Sequence, residues 1–172
     1  MPIHFKDLDV LSEVSGLNSA LIVPCIMCPA ATVAAREEKP FIQFFRSFLK
    51  SVPLEQYIKT LQFRLRERGV NTKVFKSRLY HHWFLCVWTS GRRKKLQKYA
   101  KQHEAVIVLG CQSATETVRD SVESTDCKVI EGMEVAGIMN AKFKFHFPGS
   151  VSFEDFKIIP ISRLERGEKT SN

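Results

Sequence analysis

Residues 105–110 read Ala-Val-Ile-Val-Leu-Gly, a run with no polar position. A strand of that kind has no face to give to water, so it belongs inside a sheet that is covered on both sides, as parallel sheets are. Residues 18–23 (Asn-Ser-Ala-Leu-Ile-Val), 72–75 and 127–130 read as further short buried strands. Between them the period changes to that of a helix. Phe41, Phe44, Phe45, Phe48, Leu49 and Val52 share one helical face. Leu54, Tyr57, Ile58, Leu61 and Leu65 resume the pattern after Pro53, and Gly69 suits the helix end. A third helix carries Leu96, Tyr99 and Ala100, and a fourth runs to about Val122. Ser51, Thr89 or Ser90, and Ser113 are the expected caps. Residues 79–88 are apolar without a clean period and fit either a strand or a packed loop.

Strand and helix patterns thus alternate from residue 18 to residue 130. That predicts an α/β fold in three layers, a mostly parallel sheet with helices on both faces. From Lys142 the character changes. Lys-Phe-Lys-Phe-His-Phe alternates strictly, Pro148-Gly149 marks a turn, and residues 156–161 supply a partner strand. A C-terminal β hairpin or arm is expected there, followed by a polar tail from Arg163. Residues 1–140 then form the α/β domain, and residues 141–172 a β extension of the same unit.

The chain has 172 residues, enough for one domain with its own core. Hydrophobic residues make up 44% and charged residues 26%, which excludes disordered, collagenous and low-complexity classes. No apolar run reaches the length of a membrane span, and the first residues carry charges where an export signal needs an apolar stretch. The cytoplasm is the expected compartment. The net charge of +8 favours anionic partners without selecting one.

Five cysteines in a chain without an export signal argue against a disulfide framework. Cys25 and Cys28 follow the first strand directly, with Pro29 suited to a helix's first turn. Cys111 follows the strand of residues 105–110. In open parallel sheets ligands bind beyond the carboxyl ends of the strands. If these two strands are neighbours, three thiols meet at one sheet edge, and the loop bearing Cys86 opens on the same edge. Four thiolates suit zinc or an iron–sulfur cluster. Cys28 and Cys111 at helix starts are expected to have lowered pKa values, since unpaired N–H groups stabilise a thiolate. Cys127 begins an apolar strand and reads as core. Two other readings remain open: Cys25 and Cys28 as a thiol–disulfide pair, or Cys86 and Cys111 as packing residues.

The order strand, Cys-x-x-Cys, helix, strand, loop cysteine, helix, Ala-Val-Ile-Val-Leu-Gly-Cys-Gln-Ser-Ala, then Glu-Gly-Met-Glu-Val-Ala-Gly-Ile-Met resembles the methylenetetrahydrofolate reductase C-terminal-domain-like family. Its best-known members are small partner subunits of bacterial methylenetetrahydrofolate reductases. The likeness covers residues 18–140. It implies a three-layer α/β domain whose edge cysteines bind zinc or an iron–sulfur cluster, in a subunit supporting a folate- and flavin-binding catalytic partner. The matching positions are Cys25, Cys28, Cys86 and Cys111. Ala30, Ala31 and Thr32 stand where a further cysteine is frequent, and no cysteine-rich tail follows. One four-thiolate site is therefore implied rather than several clusters. The segment of residues 41–68 is an enlargement over the family pattern.

Other features carry blander expectations. His81 and His82 lie near Cys86, and at most one of two successive strand residues could face a metal. His146 alternates with Lys142 and Lys144 on a polar face, while His4 and His103 belong to no constellation. Arg92, Arg93, Lys94 and Lys95, with Lys98 and Lys101, make the densest charge cluster, and Arg64, Arg66 and Arg68 a second. Tyr80, Trp83 and Trp88 admit stacking on bases, but no nucleic-acid motif accompanies them. The phenylalanine stripes read as core or as protein interface. Glu131 and Glu134 could approach the cysteine edge from the surface.

From sequence alone the preferred function is a metal-binding accessory subunit of a one-carbon or redox enzyme, with Cys25, Cys28, Cys86 and Cys111 as ligands. The alternatives are a thiol–disulfide oxidoreductase and a metal-free basic module for an acidic partner or nucleic acid. No Ser-His-Asp order, P-loop or dinucleotide fingerprint is present, so whether the chain is itself an enzyme stays open.

Overall fold

A computed structural model of the chain describes residues 2–43, 51–75, 85–86, 88–147 and 149–161. Among them the elements run β1 (Ile3–Asp7), α1 (Val10–Glu13), β2 (Ser19–Pro24), α2 (Cys28–Arg36), β3 (Ile42–Gln43), α3 (Val52–Glu67), β4 (Asn71–Val74), α4 (Ser90–Ala100), β5 (Ala105–Leu109), α5 (Gln112–Val122), β6 (Lys128–Glu131), β7 (Met133–His146) and β8 (Ser150–Pro160).

The four apolar runs form one sheet in the order β4-β2-β5-β6, with every pairing parallel. Ile22 lies opposite Val74 on one side and Ile107 on the other, and Ile107 opposite Ile130. Alternate residues serve two cores. Ala20, Ile22, Ala105, Ile107 and Leu109 face a cluster with α2, α3 and Phe5 of β1. Leu21, Val23, Val106 and Val108 face a cluster with α4 and α5. Each Leu, Ile or Val so buried contributes about 1.5–3 kcal/mol, which is why this sheet centres the molecule. From β2 the chain steps outward to β4, then crosses back to β5 on the other side of β2. The winding reverses between β2 and β5, and a crevice opens beyond their carboxyl ends at such a point.

A second sheet, antiparallel, has the order β1-β7-β8-β3. The expected C-terminal hairpin is present, but it is longer than foreseen and is not a lone arm. β1 from the N-terminus pairs with β7, and β3 with β8. Phe41 therefore opens a strand rather than a helix: its N–H donates to the carbonyl of Val151 and its ring packs on Phe153 at 5.1 Å. Phe44, Phe45, Phe48, His81, His82, Tyr80, Trp83 and the polar tail lie outside the described residues.

Helix α2 explains how the two sheets meet. Residues 29–35 are all buried, and most are alanine, so backbone can approach on more than one side. Thr32 inserts its hydroxyl into the outer edge of β1, accepting from the N–H of Phe5 and donating to the carbonyl of Ile3, both at 3.2 Å. Arg36 extends the contact to the carbonyl of Phe5 and, at 3.0 Å, to the Asp7 carboxylate. That carboxylate also accepts from the hydroxyl of Tyr57 on α3, whose pKa is raised by burial and then by Asp7. Edge-strand groups that would otherwise seek another chain are thereby satisfied.

Helix ends follow the expected proline positions better than the expected caps. Pro29 and Pro53 sit in the first turns of α2 and α3, and Gly69 has a φ of 80° just past α3. Ser51 and Thr89 hold the N-cap positions of α3 and α4, but neither side chain makes a cap bond. Ser113 is not a cap: Cys111 holds that place, and its carbonyl accepts from Ala114 and Thr115. Among the described residues no helix is long and apolar enough to cross a membrane.

Candidate functional site

Beyond the carboxyl ends of β2 and β5 the chain turns twice into a helix. β2 ends at Pro24, and Cys25 follows it; Cys28 is the first residue of α2. β5 ends at Leu109, and Cys111 is the N-cap of α5. The two turns are tied directly, because the N–H of Cys25 donates to the carbonyl of Leu109 at 2.8 Å. Gly110 makes this approach possible. A Cβ there would stand 2.8 Å from the Cβ of Ala114 and 3.3 Å from that of Cys25. The reversal of winding thus brings together two loops that are 86 positions apart, each carrying a thiol.

The cysteines differ in surroundings. Cys25 is 7% exposed and packs with Leu85 and Trp88 on the α4–α5 side. Cys28 is half-buried and packs on the α2 side, one turn before Thr32 and so beneath β1. Cys111 is half-buried and borders both cores. Cys86 is exposed, next to Leu85, which is fully buried. Cys28 feels the charges of both Cys111 and Cys86, and Cys25 those of Cys28 and Cys111. Cys28 is thus the thiol that interacts with each of the other three. Cys127 lies half-buried at the rim of the α4–α5 core, apart from this group.

At Cys28 burial outweighs the helix start in setting thiol acidity. Desolvation pushes Cys25 up to about 11, against backbone hydrogen bonds at Leu85 and Met27 that pull it down. Cys28 is also raised, by burial first, with only partial relief from a backbone hydrogen bond at Ile3. The expectation of a lowered pKa at Cys28 is therefore overturned. The first turn of a helix favours an anion by a fraction of a kcal/mol up to about 1 kcal/mol when exposed, and here β1 removes the water that a thiolate needs. Cys127 is likewise pushed up to about 11 by burial.

A reactivity order follows. In the reduced, metal-free chain at pH 8, iodoacetamide should modify Cys86 first and Cys25 last. With its pKa near 11, Cys25 is thiolate in only about one molecule in a thousand at that pH, and it is shielded as well. Raising the pH should speed Cys25 labelling progressively up to about 11. Peptide mapping after timed quenching checks this, and early labelling of Cys25 would contradict the packing described.

As they stand, no three His, Cys, Asp or Glu side chains among the described residues are set out to hold a metal ion. Cysteine thiolates are the donor chemistry of a thiophilic metal. Glu131 is half-buried at the end of β6, whereas Glu134 pairs with Lys6 at 3.2 Å on the surface.

Three contributors escaped the sequence reading: Gly110, Thr32 and strand β1. The alternation of Ile3 and Phe5 with His4 and Lys6 was the signal for β1. The basic helix, by contrast, was foreseen. α4 carries Arg92, Arg93, Lys94, Lys95 and Lys98, has Lys101 as its C-cap, and has no acidic residue in its first turn. Cations there oppose the helix dipole by about 0.3–1 kcal/mol each, and Lys94 repels Lys98 across one turn by a few tenths more. Arg64 and Arg66 occupy the last turn of α3, where positive charge is stabilising, so that basic run has a local explanation.

No protein family, curated protein or solved structure matches the chain.

Proposed function

We propose that the chain is a cysteine-ligated metal protein, holding zinc or an iron–sulfur cluster with Cys25, Cys28, Cys86 and Cys111, and acting as an accessory subunit of a one-carbon or redox enzyme in the cytoplasm. The observation that supports the metal reading is the winding reversal itself, which ties the turn bearing Cys25 to the end of β5 just before Cys111 through a 2.8 Å hydrogen bond, with Cys28 opening the adjoining helix. Bound metal would supply the charge that makes deprotonated sulfur acceptable in a desolvated place.

The raised pKa values favour metal over thiol–disulfide exchange. An attacking cysteine needs a thiolate near ambient pH, and both members of the Cys-x-x-Cys pair are shifted the other way. The accessory-subunit part of the proposal, and the three-layer description of the fold, rest on the resemblance of residues 18–140 to the methylenetetrahydrofolate reductase C-terminal-domain-like family.

The test is elemental analysis of protein purified without oxygen and with reductant. The expected result is close to one zinc, or one cluster's complement of iron and sulfide, per chain. Folded, reduced protein without metal, which also fails to take up added zinc or iron, would overturn the proposal.

A further inference from the structure

The outward face of α4 is basic. Leu96 and Ala100 point into the core, and Lys94, Lys98 and Lys101 fall on the opposite side of the helix, all three exposed. Seven residues at helical rise make this a straight stripe about 10 Å long. None of the three forms an ion pair among the described residues. Lys95 is drawn aside, its ammonium 5.9 Å from the ring centres of both Phe75 and Tyr99. α5 lies alongside in the same direction, as the pairs Arg93–Asp120 and Gln97–Ser124 show by their constant offset. Glu116 and Asp120 are exposed along it, and Glu123 at its C-cap.

We infer that the Lys94, Lys98 and Lys101 stripe is a docking surface for an acidic stripe on a partner protein. Charge complementarity selects this occupant. The neighbouring helix mixes its signs, with Glu116 paired to Arg119 and Asp120 to Arg93 of α4, so the uniform positive charge is confined to the stripe; a short acidic stripe on a protein matches that extent, whereas a nucleic-acid backbone continues in both directions. Tyr99 is exposed but is the one aromatic residue of this helix, and it is engaged edge-on with Phe75 and by the Lys95 ammonium, so the helix offers no run of aromatic faces for successive bases. A second copy of the chain would bring another +8 and no apolar centre to the contact. The stripe does not depend on the cysteine site.

The test uses the full chain, a poly-glutamate peptide of about 20 residues as a mimic of an acidic protein surface, and a single-stranded RNA of equal length. The expected result is peptide binding that weakens with salt and falls at least about tenfold in Lys94→Glu/Lys98→Glu/Lys101→Glu. A charge-matched control, Lys59→Glu/Lys73→Glu/Lys157→Glu, should keep most of the binding, because those exposed lysines lie on other elements. Equal losses in both variants would overturn the inference, leaving only net charge. RNA binding tighter than the peptide at the same salt would overturn it in favour of nucleic acid. Self-association abolished by the α4 variant, measured by sedimentation, would assign the stripe to a second copy instead. Circular dichroism and thermal melting confirm that both variants are folded before binding is read.

Discussion

Gly137→Ala should destabilise the chain by about 2–4 kcal/mol, the largest expected loss from any single added methyl group. Gly137 lies in β7 between two partners, opposite His4 of β1 and Pro160 of β8. A Cβ at this position would fall 2.3 Å from the carbonyl oxygen of Ile159 and 3.0 Å from its carbonyl carbon. These are backbone atoms of a paired strand, so no side-chain rotation relieves the overlap. β8 would have to move, and the pairing of Ile138 with Ile159 would move with it. Urea unfolding of the two proteins under the same metal load measures the effect. A difference below about 0.5 kcal/mol, the range of ordinary surface substitutions, would show that β7 and β8 do not approach as described.

Serine in place of Cys28 or Cys111 should weaken metal binding by more than about a hundredfold. Outer-shell partners of metal ligands already cost 10–100-fold when removed, and a ligand should exceed that. Cys28 is the sulfur that feels both Cys111 and Cys86, and Cys111 sits on the turn tied to Cys25 through Leu109. Neither substitution opens a large cavity, since both residues are half-buried and serine is nearly isosteric. Cys127→Ser is the control: it lies at the rim of the other core and should leave affinity unchanged. Competition with a chromophoric chelator reads the affinities. Equal affinity across Cys28→Ser, Cys111→Ser and Cys127→Ser would remove the cysteine edge from consideration.

Much of the fold was legible because its signals are local. The unbroken apolar run that begins at Ala105 supplies β5, and the prolines at positions 29 and 53 mark the starts of α2 and α3. The placing of Cys25 and Cys111 beyond neighbouring strand ends was legible too, because β2 and β5 pair in parallel. What could not be read depended on contacts distant in the chain. β1 finds its partner at Ile138, across 135 positions from Ile3. Phe41 fits a helical period with the residues after it, yet its ring settles on Phe153. The acidity of Cys28 was misjudged because burial is a tertiary property. Its place at a helix start is visible in sequence, whereas the packing of β1 on α2 is not. Ser113 looked like a cap by residue type, but Gly110 lets the turn tighten so that the helix begins at Gln112.

X-ray absorption at the metal edge, on protein purified without oxygen, probes the gathering of sulfurs most directly. For zinc the expected first shell is four sulfurs at about 2.3 Å with no light-atom ligand, falling to three sulfurs in any residual metal-loaded Cys111→Ser protein. A shell of nitrogen and oxygen, or a sulfur count untouched by that substitution, would contradict it.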